Sequence, residues 1–171
     1  MSWLRCWLFY GADQGDFFSP RNPVAQRQDM TLYLSNPPWM EMGATGSWLS
    51  TWSDEELHPR PLHQIAADFA WRASQIAPAG ARLCLILPMT LLLKSTSQDF
   101  MAAWLMRVRP QRIINFGNLK ELLFDDGRAA CAVVLAERRA PDHASIRGDE
   151  TFDVLHPKLT SALPSDDCHY A

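Results

Sequence analysis

The chain has 171 residues, of which 47% are apolar and 20% charged, and a formal net charge of −3. That length suits one domain of ordinary size with a packed core, and the composition excludes wholesale disorder. The acidic balance excludes a protein that grips a nucleic-acid backbone by its own charge, because phosphate contacts dominate such affinity.

Cysteine usage narrows the class further. None of the four cysteines, Cys6, Cys84, Cys131 and Cys168, forms a CxxC pair, which argues against a zinc knuckle or a thioredoxin-like site. Cys84 and Cys131 stand in apolar runs and read as small core residues in a reducing, cytoplasmic setting. The apolar start, MSWLRCWLFY, carries Arg5 and is too short for a signal sequence or a membrane span. No other stretch is long enough to span.

In chain order, residues 3–10 have the composition of a strand, and GADQGDFFSPRNP reads as a loop. MTLYLS is a short apolar strand. Residues 40–61 form a long polar connection containing Trp48 and Trp52, and connections of that length are usually functional or disordered. From about Pro61, Leu62, Ile65, Ala66, Phe69, Ala73 and Ile76 recur at helical spacing, until Pro78 and Gly80 end the pattern. ARLCLILP is a near-continuous apolar run, the signature of a strand buried on both faces.

STSQ next offers a capping box, with Ser95 as N-cap and Gln98 three residues on. Phe100, Met101, Trp104, Leu105 and Val108 give the following helix its apolar face, and Pro110 closes it. RIINFG and AACAVVLAE are the last strands, joined without a helix and so readable as an antiparallel hairpin at one edge. The alternation of strands and helices predicts an α/β layer with a mostly parallel sheet. Residues 140–171 read as an irregular tail or the start of a further segment.

One strand ends in an unusual way. TLYLS runs into Asn36-Pro37-Pro38-Trp39. Ligands of open parallel sheets bind beyond the carboxyl ends of the strands. The prolines stiffen the backbone and remove two N–H donors, which leaves the Asn36 and Pro37 carbonyls as fixed acceptors. The Asn36 side chain adds an amide oxygen, and Trp39 adds a flat ring for stacking. These residues can hold a planar amine by both of its protons. The competing explanation is a plain turn with Trp39 covering the core.

YLSNPPW, FAWRASQIAPAGARLCLILP and RIINFGNLKELLFDDGRAACAVVLAERR together resemble the DNA adenine-N6 methyltransferases of restriction-modification and related phage-defence systems. The resemblance runs from about Gly11 to Arg139. It implies a partial Rossmann-like, S-adenosylmethionine-dependent methyltransferase fold with an antiparallel edge hairpin. It also implies catalytic roles for Asn36, Pro37, Pro38 and Trp39 around a flipped-out adenine. GDFF is similar to the family's acidic motif, so Asp16 would bond the cofactor's adenine amine while Phe17 or Phe18 packs on that ring. Phe124, in LLFDDG, falls where the family has an aromatic residue against the target base. The bland alternatives are a turn aspartate for Asp16 and a hairpin core residue for Phe124.

The family's Gly-rich cofactor loop and its target-recognition domain find no counterpart. Only fourteen residues precede Gly15, and FYGADQGD has the wrong glycine spacing. The expectation is therefore a catalytic part spanning residues 1–139 with an incomplete S-adenosylmethionine site, inactive alone. Its partners would be an N-terminal methyltransferase half and DNA, the latter through a separate recognition domain or subunit. Two other readings share these features: a non-catalytic interaction module, and a methyltransferase of protein glutamine or RNA. No metal is expected. His58 and His63 lack partners at ligand spacing and read as exposed or capping residues. Asp54, Glu55 and Glu56 read as a solvated stretch.

Overall fold

A computed structural model describes residues 17–19, 21–23, 27, 29–39, 48–119, 130–140 and 150–157. The expected strand at 3–10, Asp16 and Phe124 lie outside these residues. Strand β1 (Leu32–Ser35) is followed by helices α1 (Trp48–Glu55) and α2 (Ile65–Ile76), then by strand β2 (Arg82–Pro88). Helices α3 (Met89–Leu93) and α4 (Gln98–Leu105) lead to strands β3 (Val108–Asn115), β4 (Cys131–Arg138) and β5 (Asp153–Leu155).

The five strands form one sheet in the order β1-β2-β4-β3-β5. The pairs β1–β2 and β3–β5 are parallel, whereas β2–β4 and β3–β4 are antiparallel. The sheet is thus mixed rather than mostly parallel, and neither hairpin strand lies at its edge, because β4 lies between β2 and β3 and β5 pairs with the outer side of β3. Side-chain chemistry explains this. β4 carries no charge from Cys131 to Ala136, while β3 carries Arg109, Gln111 and Arg112. The place against the long, apolar β2 therefore goes to the strand with the lower desolvation cost, and β3 is left facing the short β5.

Strand alternation divides the sheet into two faces. Tyr33, Leu83, Leu85, Leu87, Val134 and Ala136 are buried on one face. There they meet Ala66, Ala70, Trp71 and Ala73 of α2 and Phe100 and Trp104 of α4 in one core cluster. Small alanines on α2 let the helix sit close to the sheet. Its neighbour α4 docks through Trp104, whose indole donates to the Ala70 carbonyl at 3.1 Å. On the opposite face Cys84 and Ile86 are half-buried and Leu34 is 50% exposed. The ARLCLILP strand is therefore fully buried on one side only.

Several local expectations change. The 40–61 connection contains α1, because Leu49 and Trp52, one turn apart, turn towards the core. The capping box at Ser95 does not form. Residues Ser95–Ser97 make a short 3₁₀ turn, and α4 begins only at Gln98 without a side-chain cap. The Ser97 hydroxyl instead donates to the Thr90 carbonyl at 3.2 Å. Pro110 does not close the helix, which ends at Leu105; it lies in β3 beside a register shift between Pro110 and Arg112. That irregularity suits a residue with no N–H to give the ladder. Beyond Arg139 the chain adds β5, held by an Arg112–Asp153 ion pair of 3.0 Å. Among the described residues no helix is long and apolar enough to cross a membrane.

Candidate functional site

The parallel pairing of β1 with β2 fixes where Asn36-Pro37-Pro38-Trp39 lies: at the carboxyl end of β1, beside the end of β2. Asn36 and Pro38 are exposed, Pro37 is buried and Trp39 is half-buried. β1 stops at Ser35, opposite Leu85. The Arg82 N–H donates to the Thr31 carbonyl at 2.9 Å, so alternation turns the backbone groups of Ile86 towards β1 as well. The Ile86 carbonyl therefore emerges just beyond the last paired residue of β1. The Trp39 indole donates to it at 3.3 Å and packs against the core cluster. The indole is thus anchored at both its N–H and its apolar body. This anchoring fixes the orientation of the ring, three residues after the exposed Asn36. A ring held in one orientation offers a stacking surface for a flat heterocycle.

A second aromatic group stands near the same edge. Phe17 and Phe69 stack with ring centroids 5.1 Å apart and planes 4° apart. Phe18 meets both rings edge-on, at 5.4 Å from Phe17 and 4.8 Å from Phe69. Trp52 lies 4.8 Å behind Phe18. Phe18 is 3% exposed and enclosed by these rings, whereas Phe17 keeps part of its surface in solvent. Of the two phenylalanines, Phe17 is thus the one with surface for a flat ligand such as the adenine of S-adenosylmethionine, and the described residues fit that aromatic contact.

The helix geometry relates the two groups. The Tyr33 hydroxyl donates to the Ile76 carbonyl at 3.5 Å. From there α2 runs antiparallel to β1, so Phe69 lies about 10 Å nearer the carboxyl edge at 1.5 Å per residue. Asn36 is also about 10 Å beyond Tyr33, at 3.3 Å per residue.

A buried polar group escapes the sequence reading. His58 is neither exposed nor a cap: its side chain and that of Asp68 are 0% exposed, and Nε2 lies 2.9 Å from the Asp68 carboxylate. Its Nδ1 lies 3.0 Å from the Glu56 carbonyl. Arg60 Nε approaches the same Asp68 oxygen at 3.0 Å. The imidazole sits between two indoles, 5.2 Å from Trp52 and 5.0 Å from Trp71. Arg72 and Arg107 cap this stack, 5.9 Å from Trp52 and 4.8 Å from Trp71. The group ties the chain after α1 to the face of α2. Its signal was Asp68 itself, one turn from both Ile65 and Trp71 on the apolar stripe of a helix. A carboxylate there requires a buried cationic partner. His63, in contrast, is exposed as expected.

Glu56 is also more than a solvated residue. It accepts from the Trp71 indole at 3.0 Å. Burial pushes its carboxyl up, but hydrogen bonds from Trp71 and Gln75 and the charges of His58 and Arg107 outweigh it and hold the group below the usual glutamate value. A depressed folded-state pKa adds stability above the unfolded value of about 4.3 and loses it as pH falls through the folded value. Glu56→Gln should therefore flatten the acid limb of a Tm-against-pH curve below about pH 5. An unaltered acid limb would count against this role.

No protein-family model matches the sequence, and neither does any curated protein. Solved structures do match. A Listeria monocytogenes protein assigned to the class I S-adenosylmethionine-dependent methyltransferases aligns over 76% of this chain and 37% of its own, with TM-score 0.56 and 13% identity. The M protein of the type I restriction enzyme EcoKI aligns over 86% of this chain and 30% of its own, with TM-score 0.57 and 14% identity. The chain spans about a third of the length of each. At these identities the likeness is one of fold: the chain has, in part, the α/β fold of the S-adenosylmethionine-dependent methyltransferases.

Proposed function

We propose that the chain supplies the amine-holding part of a DNA adenine-N6 methyltransferase, with the Gly-rich part of the cofactor site coming from adjoining sequence or a partner polypeptide. The observation that supports this most is the anchored Trp39 at the carboxyl end of β1, in the same four-residue stretch as the exposed Asn36. The shared methyltransferase fold makes that edge the expected place for a ligand.

The Asn36 side-chain oxygen and the Pro37 carbonyl would each accept one N–H of the adenine amine. That arrangement directs the nitrogen lone pair outward and stabilises positive charge as it develops on nitrogen. Trp39 would stack on the base and hold it in line for transfer, and orientation supplies much of the remaining rate. S-adenosylmethionine, when bound, supplies an electrophilic methyl on sulfonium. The proton shed by the methylated amine passes to solvent, so no metal or covalent intermediate is required. Phe17, with Asp16 before it, would contact the cofactor's adenine, and Phe124 the target base. DNA would be gripped by a separate recognition domain or subunit, in keeping with the net charge of −3.

Methyl incorporation tests the reading. The chain, combined with a polypeptide carrying the Gly-rich loop, should label the N6 position of adenine in duplex DNA. Label found in protein glutamine or RNA instead, or in nothing, would overturn it. Calorimetry of the chain alone should show only weak S-adenosylmethionine binding; tight binding would mean that the cofactor site is complete without a partner.

A further inference from the structure

We infer that the open face of the sheet, opposite the helices, docks one amphipathic helix of the polypeptide that carries the Gly-rich part. That helix would bear acidic residues along one flank of its apolar stripe. The inference rests on the reading above that a further polypeptide completes the enzyme, and it names where that partner sits.

Side-chain alternation gives the first sign. A sheet face left to solvent carries polar residues at alternate positions. This face does not. The register aligns Leu34, Cys84 and Leu135 in one row across β1, β2 and β4. It aligns Ile86, Val133, Ile114 and Leu155 in the next row, across β2, β4, β3 and β5. Leu34 and Leu155, at the two ends, are 50% and 44% exposed, and the five residues between them are half-buried. The four α-helices all pack into the core cluster on the other face. Among the described residues no helix therefore covers these rows. Contiguous apolar surface of this extent marks an interaction site.

Size and charge select the occupant. Five strands span about 19 Å at a spacing of about 4.8 Å, the length of about thirteen helical residues. From Cys84 to Pro88 the uncharged width is about 13 Å, close to the diameter of one helix, about 10–12 Å. The border beyond this band is charged: Arg82, Glu137 and Arg109 lie in register across β2, β4 and β3. Glu137 accepts from the Gln111 amide at 3.0 Å. Arg82 and Arg109 are exposed and have no ion-pair partner among the described residues. Arg112, nearby, is already matched by Asp153. The border is thus short of anions, although the chain as a whole is acidic. Carboxylates on the flank of a docked helix supply them. A second copy of this chain does not. Packed face to face about a two-fold, it would set arginine against arginine or leave the arginines over the uncharged Pro88–Cys131 end.

The test uses the full chain, isotope-labelled for NMR and titrated with two model peptides of about eighteen residues, long enough to form a helix on contact. Both are alanine-rich with leucines at helical spacing along one face. One carries glutamates along the flank of that face and the other carries lysines. Sedimentation of the chain alone reports self-association.

The glutamate peptide should shift the methyl signals of Val133, Leu135 and Ile114, and at low salt it should bind about tenfold more tightly than the lysine peptide. Leu34→Gln and Leu155→Gln should each weaken it about fivefold, the size expected for one partly exposed leucine side chain. Both positions are exposed, so thermal unfolding should stay close to that of the wild type. Arg82→Glu combined with Arg109→Glu should reverse the preference between the peptides. No shift with either peptide, shifts confined to the helices, or a preference that survives the double reversal would each overturn the inference. Dimerisation of the chain that Leu34→Gln abolishes would give the face to a second copy and overturn it as well. Methyl transfer plays no part in these measurements. A failed methylation assay beside intact peptide binding would reject the enzyme reading alone, and the converse would reject the docking face alone.

Discussion

Asn36→Ala is expected to reduce adenine methylation by the completed enzyme about 10²–10³-fold, the effect of losing one oriented hydrogen-bond group aimed at developing charge. The fold should barely notice. Asn36 is exposed, and surface substitutions of that kind usually shift stability by less than about 0.5 kcal/mol. A matched pair of measurements checks this: initial rates of methyl incorporation, and thermal unfolding of the same preparations. Methylation that persists in the variant would remove Asn36 from the mechanism. A loss of rate that merely follows a loss of folded protein would assign it a structural role instead. Trp39→Phe is an informative companion. It keeps a ring for stacking but gives up the bond to the Ile86 carbonyl, so it should retain more activity than Trp39→Ala.

The second large effect lies away from that edge. Asp68→Ala leaves His58 and Arg60 facing a vacancy where their shared carboxylate stood. Breaking a buried pair by removing one partner costs about 3–5 kcal/mol, because a buried charge is left uncompensated. For a chain of this size that corresponds to a Tm lower by roughly 6–20 °C. Removing both partners has a different outcome. A double variant, His58→Phe with Asp68→Leu, trades that pair for apolar volume between Trp52 and Trp71 and should recover part of the loss, the remainder belonging to Arg60 without its carboxylate. A double-mutant cycle by chemical denaturation measures the coupling directly. If Asp68→Ala cost less than about 1 kcal/mol, the pair would not be what fastens the α1 segment to α2.

These two sites differ in how far the sequence reveals them. The NPPW stretch is local. Proline chemistry and the end of an apolar strand are visible in four consecutive residues, so the candidate clamp could be named before any fold was known. The His58–Asp68 pair is not local. Its members lie ten residues apart, and although Asp68 on the apolar stripe of α2 signals a buried partner, nothing local names His58 as that partner. Only the docking of the chain after α1 on α2 turns them into partners, and only then does their burial become favourable. Glu56 is similar: its role depends on the Trp71 indole reaching it from a helix that begins nine residues later.

The same division runs through the fold. Helical periodicity from Ile65 to Ile76 and the apolar runs at Leu32–Ser35, Arg82–Pro88 and Cys131–Arg138 specify those elements from short-range pattern alone. They specify the α/β class as well, because strands alternating with helices need crossovers. The Pro110 and Ser95 readings failed for a shared reason. A proline can end a helix or sit at a strand irregularity, and a serine can cap a helix or open a 3₁₀ turn. The neighbouring strand and turn decide between these outcomes.

Strand order is the clearest case. β3 and β4 were legible as a hairpin, but no residue within the hairpin states which strand faces β2. That choice compares the desolvation of Arg109, Gln111 and Arg112 with that of an uncharged run, and the comparison exists only once the sheet is assembled. The sequence by itself determined α2, α4, the strands β1 to β4, the α/β class and the candidate acceptors at Asn36 and Pro37, because each is encoded within a few residues. The tertiary structure alone decided α1, β5, the mixed sheet, the anchoring of Trp39 on Ile86, the stacking of Phe17 on Phe69 and the burial of His58, because each depends on groups brought together from distant parts of the chain.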